Sequence, residues 1–458
     1  MGIFGALTTA VGGLRAQSFA LENISGNIAN SQTVGFKRTD TSFSNLVSDS
    51  SLNQQKSGGV IANSRATNTI QGDIQASSVD TFMAINGDGY FVVQKPSGFP
   101  DGSPVFTGNE LYTRRGDFQM DKDGFLVNGS GYYLEGLTID PVSGNVSGSV
   151  PTVLQVSNDF LPAQQTTTIQ YRANLPSVPL THNFVATTPN SELLDGASFT
   201  DDPTIAGGGI VTGAEQTSFI DQSITGGAVT VFDAQGNAVN VQLRWAKVDS
   251  VANGGTADTW ELFYLTDSTA TGTNPAWLNT GQSYVFDANG KLNPAVPSVA
   301  ITGLTVDGHI VGDVTISHGN NGVTQFADSN GVVQVNTLSQ NGFAAGSLNS
   351  IAITNKGRVV ASYSNGRTLD IAEVPLVAFN GDNGLKVLDG GAFQATDESG
   401  PAIFGASGSI VSKSLENSNT DISDEFTKLI ITQQAYAANT KIVTTANDML
   451  QETINMLR

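Results

Sequence analysis

Residues 422–458 read ISDEFTKLIITQQAYAANTKIVTTANDMLQETINMLR, and no proline interrupts them. Apolar residues recur in this stretch at every seventh position, the spacing of a helix that packs along a second helix. At 1.5 Å per residue, the segment predicts a helix about 55 Å long. We call the apolar positions at the two chain ends the predicted seam. Here the predicted seam comprises Ile422, Leu429, Tyr436, Val443, Leu450 and Leu457, with Ile454 in a second column that also holds Phe426, Gln433, Thr440 and Asn447.

The amino-terminal residues 4–28 repeat this spacing. One column is Leu7, Leu14, Leu21 and Ile28, and the second holds Val11 among Phe4, Ser18 and Ser25. Two matching columns at opposite ends of one chain favour pairing between the two helices. The alternative is that each is an ordinary amphipathic helix packed on a core. Polar members of the columns weaken the pairing, so that order can depend on assembly.

Between the two ends the periodicity changes to that of β-strands. Around Gly236, Val229 and Val231 precede a turn, and Val239 and Val241 follow it at a period of two. Asp at the first turn position and Gly at the last are typical of hairpin turns. Similar turns occur at 121–124, 287–290, 328–331 and 355–357.

Composition excludes several classes of function. The net charge of −20 argues against a nucleic-acid binder and against docking on anionic lipid. The absence of cysteine excludes disulfides, thiol catalysis and zinc–thiolate sites. Residues 149–336 hold 16 acidic and 4 basic residues, a net of −12, which predicts a solvated middle region. The amino terminus lacks the features of a cleaved secretory signal.

No motif in the sequence predicts catalysis, a cofactor or a metal. The three histidines lie outside any metal-binding spacing, and each is expected to be structural or solvated. Asp121-x-Asp123-Gly124 begins like a calcium loop, but no Glu closes the frame, so that a turn is expected. An aromatic cluster could bind carbohydrate, although a β core or a subunit contact is favoured. The cluster comprises Tyr90, Phe91, Tyr112, Phe118, Tyr132 and Tyr133.

Four segments give the sequence a resemblance to the flagellar axial proteins, the family of rod, hook and hook-associated subunits. Asn27-Ile-Ala-Asn30 followed by Thr33-Val-Gly35-Phe36-Lys37 resembles a signature of that family. Two further segments resemble its β-rich core module, and the fourth is Leu415–Asp421 with the helix that follows. The core-module segments are Met83–Phe91, with Gly87, Gly89, Tyr90 and Phe91, and Tyr112–Phe118, with Arg115 and Gly116.

The long middle region resembles the hook members of this family. The resemblance implies a structural subunit without enzymatic activity or cofactor, which polymerises into a flexible curved tube and acts as a universal joint between rod and filament. It implies contacts with a distal rod protein, a hook cap protein and hook–filament junction proteins. It also implies export through the flagellar type III apparatus to the outside of the cell without a cleaved signal. Alternatives are a distal rod or junction subunit, and a secreted glycan-binding adhesin.

The predicted fold is mainly β with α-helical termini. The terminal helices pair as a coiled coil, followed by a β core domain and an inserted, β-barrel-like outer domain. The predicted parts are a helical domain of 1–30 with 416–458, an extended linker at 31–70, the β core of 71–148 with 337–415, and the acidic outer domain of 149–336.

Overall fold

The computed structural model describes residues 3–51, 54–140, 143–205 and 209–456. The chain is mainly β with helices at both ends, which confirms the predicted fold class at that level. It divides into a core unit (1–159, 349–362 and 368–458) and an inserted unit (160–348 and 363–367). Both boundaries of the inserted unit lie later in the chain than the predicted 149 and 336. The helices are α1 Ile3–Ala29, α2 Gln216–Asp221 and α3 Ile422–Met456.

The segment 31–70 is not the extended linker that its polar composition predicts. It forms a long antiparallel hairpin of β1, Thr39–Ser51, and β2, Gln54–Ala66. The Asn27 side chain fixes the start of β1, because its Oδ1 accepts from Thr39 N at 2.9 Å and its Nδ2 donates to Thr39 O at 3.0 Å. Two polar strands can form here since their backbone groups satisfy each other without a large apolar core.

The described part of the core unit is organised around a 13-stranded sheet. Strand β5 is fully buried and pairs with β6, β9 and β24. The first strands of the core unit beyond the hairpin are β3 Ile74–Ala76, β4 Met83–Asn86, β5 Tyr90–Gln94, β6 Glu110–Thr113, β7 Gln119–Met120, β8 Leu126–Val127, β9 Tyr133–Thr138 and β10 Thr152–Val153. The last are β21 Leu348–Ile353, β22 Arg358–Tyr363, β23 Thr368–Glu373, β24 Leu376–Ala378, β25 Lys386–Leu388, β26 Ala392–Gln394, β27 Ile403–Phe404, β28 Ser409–Ser412 and β29 Ser414–Glu416.

The aromatic cluster of the core unit lies in its interior. All six rings of the cluster are buried, and Phe91 and Phe118 meet edge to face with centroids 6.0 Å apart. A carbohydrate-binding platform needs exposed rings, so this cluster does not support the adhesin alternative. Its rings form part of the β core, one of the two roles that the sequence analysis favours.

The inserted unit contains two five-stranded sheets in its described part. In the first sheet, β11 is central, with β18 and β19 parallel on one edge and β20 antiparallel on the other. Both sheets contribute to one apolar core that includes Ile169, Ile316, Val229 and Leu262. The strands are β11 Thr168–Leu175, β12 Ile210–Thr212, β13 Ile224–Phe232, β14 Ala238–Asp249, β15 Asp258–Leu265, β16 Pro275–Phe286, β17 Ser298–Val306, β18 His309–Ser317, β19 Val323–Gln325 and β20 Gln334–Gln340.

His318 is part of this core and not of a metal site. Its Nδ1 lies 2.9 Å from the carbonyl oxygen of Tyr171, and its Nε2 lies 2.8 Å from the hydroxyl of Tyr284. A carbonyl only accepts, so that Nδ1 holds the proton and Nε2 accepts from the tyrosine. Burial lowers the pKa of His318, which favours this neutral tautomer.

The Asp-first turns close on their own backbone. The Oδ1 of Asp121 accepts from the N–H groups of Asp123 and Phe125 at 2.9 and 2.8 Å. Asp233 and Asp287 make the same two contacts with the second and fourth residues after them. These carboxylates therefore stabilise hairpin turns, as expected for the segment that begins like a calcium loop.

Glu135 on β9 generates a prediction about stability. It is fully buried, and burial together with the nearby Glu110 raises its pKa to about 7. In the unfolded chain the pKa of this carboxyl is 4.5, so that the folded state loses stability as the pH rises from 4.5 through 7. We expect Glu135→Gln to raise the free energy of unfolding by about 1–3 kcal/mol at pH 8 and to have little effect at pH 4.

Urea unfolding at the two pH values measures this difference. The exposed Glu398→Gln is the matched control, with no pH-dependent gain expected. An equal effect of Glu135→Gln at both pH values would contradict the assignment.

Candidate functional site

The two terminal helices lie antiparallel in a fixed register. A Cβ atom added at Gly13 would lie 3.0 Å from Asn439 Nδ2, and Asn27 Nδ2 donates to Glu425 Oε2 at 3.0 Å. The two contacts are fourteen residues apart on both helices, and residue numbers increase along α1 while they decrease along α3. This register places Ile3, the first described residue of α1, opposite about residue 449.

Small and polar residues form the contact between the helices. At intervals of seven, α1 presents Ala6, Gly13, Ala20 and Asn27, and α3 presents Ala446, Asn439, Thr432 and Glu425. Ala446, Thr432 and Glu425 are the buried residues of α3 in its described length. Small side chains let two helix backbones approach closely, and Gly13 leaves room for the Asn439 side chain.

The predicted seam lies beside this contact and not within it. Leu7, Val11, Leu14, Leu21 and Ile28 on α1 are half-buried, as are Leu429, Val443 and Leu450 on α3. Ile422, Tyr436 and Ile454 are exposed by 40%, 41% and 62%, and Leu457 lies outside the described residues. The contact has the same interval of seven residues as the predicted seam but lies one position away from its leucine column on α1, because the helices meet through small residues.

A polar cluster joins the helix pair to the hairpin. Glu425 is fully buried and accepts from Asn27 through Oε2 and from Lys428 Nζ through Oε1, the latter at 2.7 Å. Lys428 Nζ also donates to Asp40 Oδ1 of β1 at 3.0 Å. Desolvation lowers the pKa of Lys428, but the hydrogen bonds to Glu425 and Asp40 outweigh it, so that the pKa is raised above its usual value. Asn27 thus links α1, β1 and α3 with one side chain.

A second buried cluster centres on Glu416, at the end of β29. Its Oε1 accepts from Lys37 Nζ at 2.6 Å and from Gly72 N at 2.9 Å, and Arg114 Nη1 lies 3.5 Å from its Oε2. Burial lowers the pKa of Lys37, whereas the charge of Glu416 favours its protonated form. The Arg114 guanidinium also lies 5.2 Å from the ring centroid of Tyr90. Glu416 therefore joins its own segment to those of Lys37 and Arg114, and Arg114 adds the segment of Tyr90.

Glycines let these segments approach one another. Gly35 has φ +67°, and its N–H donates to Glu416 O at 2.7 Å. A Cβ at Gly35 would lie 2.9 Å from the backbone of Arg114 and Arg115, and one at Gly116 would lie 1.7 Å from Met83 O. No larger residue fits either position without moving backbone.

The remaining motif residues have local roles. Asn30 Nδ2 donates to Gly26 O at 2.9 Å and ends α1, and Arg115 binds both carboxylate oxygens of Asp117 at 2.7 and 2.8 Å. Phe36 is half-buried, whereas Tyr90 and Phe91 are core residues. Gly87 and Gly89 have φ +92° and +141° in the turn before β5.

The motif residues that make the charge cluster were not among the predicted site residues. Lys37, Arg114 and Glu416 lie within the quoted motifs, and Glu425 and Lys428 lie on α3. The one sequence feature that could have identified these residues is a charged side chain within an apolar or glycine-rich segment, in a chain that has few charges. Which charged residues pair could not be predicted, because residues hundreds of positions apart show no regular spacing in the sequence.

The described residues contain no group of three or more His, Asp or Glu side chains arranged to hold a metal ion. Within the same ranges, every helix is too short or too polar to cross a bilayer.

Comparison with known proteins gives matches along most of the chain. Residues 7–37 match the family "Flagella basal body rod protein", and residues 84–170 match "Flagellar hook protein FlgE/F/G D1 domain". Residues 215–343 match "Flagellar basal body protein FlaE D2 domain", and residues 411–456 match "Flagellar basal body rod FlgEFG protein C-terminal".

Relatives that match over nearly the whole chain are also found. The flagellar hook protein FlgE of Brucella suis is 30% identical over 464 residues, covering 100% of both chains. That of Salmonella typhimurium is 28% identical over 461 residues, covering 98% of this chain and 100% of the relative. The crystal structure of Helicobacter pylori FlgE2 matches with a TM-score of 0.50 and 16% identity, covering 75% of this chain and 100% of that one. This last likeness concerns the fold alone.

Removal of the Glu416 carboxylate should destabilise the core unit strongly. Glu416→Ala leaves Lys37 and Arg114 buried at 7% and 4% exposure without their counter-charge. We expect a loss of about 3–5 kcal/mol in the free energy of urea unfolding. Asp123→Ala, which breaks an ion pair to the exposed Lys122, is the control and should cost about 0.5 kcal/mol or less. Equal costs would contradict the role of Glu416.

The close helix contact predicts that substitution by leucine has different effects on stability at two glycines of α1. Gly13→Leu places a side chain against Asn439 and should destabilise the helix pair by about 1–3 kcal/mol. Gly26→Leu meets nothing within 4 Å of its Cβ and should be neutral or stabilising, since leucine favours helix over glycine. Thermal unfolding followed by circular dichroism at 222 nm distinguishes them. The register is wrong if both variants behave alike.

Proposed function

Because this chain belongs to the flagellar hook protein FlgE family, we propose that it is the structural subunit of the bacterial flagellar hook. In this role it polymerises into a flexible curved tube outside the cell. The tube acts as a universal joint that transmits torque from the rod to the filament.

The observation that carries this proposal is the apolar surface of α3. Phe426, Ile430, Ile431 and Met449 are each more than half exposed, in addition to the exposed members of the predicted seam. Large apolar side chains that remain exposed in this number along one helix indicate an interaction surface. Each side chain of this size contributes about 1.5–3 kcal/mol when fully buried. Copies of the chain that cover these faces for one another supply a driving force for polymerisation.

The helix pair is proposed to be an antiparallel coiled coil that lines the tube. The heptad column of small residues supports this, since it brings α1 and α3 together without using their larger apolar residues. The predicted seam is then free for contacts between subunits. Its polar members keep those contacts conditional on assembly.

The inserted unit is proposed to be a barrel-like outer domain. Its sheets are joined at one corner by the Lys291–Thr324 bridge and at another by the hydrogen bond from Thr166 N to Phe232 O at 2.9 Å. Its acidic surface favours weak, hydrated contacts with neighbours. Such contacts can be exchanged at low cost while the tube bends, whereas the inner contacts remain.

The remaining expectations form part of the same proposal. A hook subunit meets a distal rod protein at one end of the tube, and a cap protein and junction proteins at the other. It reaches the growing end through the flagellar type III export apparatus. The family and the lack of cysteine, which makes folding independent of oxidation, support these statements.

A substitution in the predicted seam tests the proposal. Leu450→Asp places a charge at a half-buried position of α3, where a subunit contact would have to desolvate it. We expect loss of tubes in electron micrographs of the purified protein, with unchanged unfolding of the β domains. Thr444→Asp, at an exposed polar position of α3, is the matched control and should still form tubes. Normal tubes from Leu450→Asp would contradict the assignment of the seam.

A further inference from the structure

The end of α3 extends past α1. The register places Ile3 opposite about residue 449, whereas α3 continues to Met456. Every residue from 451 to 456 is exposed, and Ile454 and Met456 are exposed by 62% and 75%. The overhang, defined as residues 450–456, presents these apolar side chains together with the carboxylate of Glu452.

An open groove lies at the opposite end of the helix pair. It has a volume of about 660 Å³, with Ala20 and Ile24 of α1 as its floor and the hairpin and α3 as its walls. Phe43 of β1 lines it and is exposed by 47%. The groove therefore offers an open volume with an exposed aromatic ring, into which apolar side chains of a helix can dock.

The charges of the groove favour an acidic occupant. Arg38, Arg65 and Lys428 line it with Asp40 and Glu425. Both carboxylates bind Lys428. Arg65 lies opposite Asp40 in the hairpin register, is exposed, and makes no ion pair with any described residue. In a chain of net charge −20, this groove has an excess of basic residues and a free guanidinium.

We propose that the overhang of one copy docks in the groove of a second copy, with Ile454 against Phe43 and Glu452 beside Arg65. This inference rests on the proposed polymerisation and names the two surfaces that meet in it. The surfaces differ and lie at opposite ends of the helix pair. After each such head-to-tail contact, one groove and one overhang remain free. The chain of subunits can therefore keep growing, whereas a symmetric dimer uses up both surfaces and closes.

A cysteine pair tests the contact in the full-length polymer. The chain has no cysteine, so Phe43→Cys with Ile454→Cys introduces the two thiols alone. Within one chain they cannot meet. Thr41 lies at the level of Asn23, and Val60, which pairs with Asn45, lies at the level of Gly12, so that Phe43 lies between these two levels of α1. At least nine residues of helix, about 14 Å, separate Phe43 from the level of Ile3, and Ile454 lies farther out, whereas a disulfide needs Cα atoms within about 7 Å.

Oxidation of tubes formed by the double variant should give a ladder of covalent dimers, trimers and longer species on a non-reducing gel. Each single-cysteine variant should give no ladder. Normal tubes without a ladder would overturn the docking inference and leave the proposed function intact. Absence of tubes from the unaltered protein under the same conditions would instead count against the proposed function.

A charge exchange tests the pair of side chains. Arg65→Glu and Glu452→Arg should each slow tube growth from purified protein about tenfold or more, since like charges then meet. An equal mixture of the two variants should recover growth to within about threefold of the unaltered protein, because each groove then finds an opposite charge. Lys122→Glu, remote from both surfaces, is the control.

Circular dichroism of the monomers checks that both variants fold, since Arg65→Glu also faces Asp40. Recovery in the mixture supports the proposed pair. Slow growth of both variants without recovery in the mixture, or undiminished growth of either variant, overturns it.

Discussion

The core unit depends on one carboxylate that is wholly removed from water. A buried charge is costly unless opposite charge and hydrogen bonds surround it, and Glu416 meets that requirement with Lys37, Arg114 and the N–H of Gly72. These groups come from segments far apart in the chain. The hairpin, the β core and the entry to α3 can therefore adopt their positions only together. Nearby, Asn419 extends the arrangement, since its Oδ1 accepts from Arg38 N at 2.7 Å and its Nδ2 donates to Ile70 O at 3.1 Å.

The helix pair continues from this base through a second polar connection. Asn27 and Glu425 fix the level at which the helices meet, and a wrong register would leave a buried carboxylate without a partner. A column of alanine and glycine alone would tolerate displacement by one heptad. The polar end removes that freedom, in the way that a buried polar residue fixes the register of a coiled coil. Close packing and register are thus supplied by different residues of the same column.

The sequence predicted the β-rich middle, the Asp-first turns and helices at both ends, because these follow from local periodicity and turn chemistry. It did not predict the hairpin at 39–66, whose strands are polar and are held by Asn27 from outside the segment. The helices meet one position away from the predicted column on α1, since apolar periodicity identifies a surface without identifying the partner that covers it. The buried roles of Glu425 and Glu416 were not predicted, because a charged residue is expected at the surface and because Asn27 and Lys37, which bind them, lie 398 and 379 residues away along the chain.

The division between small and large residues explains how one helix pair can hold together within the chain and still offer an apolar surface to other copies. If the leucines and isoleucines of α1 and α3 were used within the chain, the pair would be stable alone and would offer neighbours little apolar area. Pairing through Ala6, Gly13 and Ala20 leaves the larger side chains on the flanks of the pair. The polar clusters compensate for the small area buried inside, because they hold the helices to the hairpin and to the β core. In the proposed polymer, neighbouring copies cover these larger side chains, so that assembly adds apolar burial to a helix pair that is already held in register by its polar clusters.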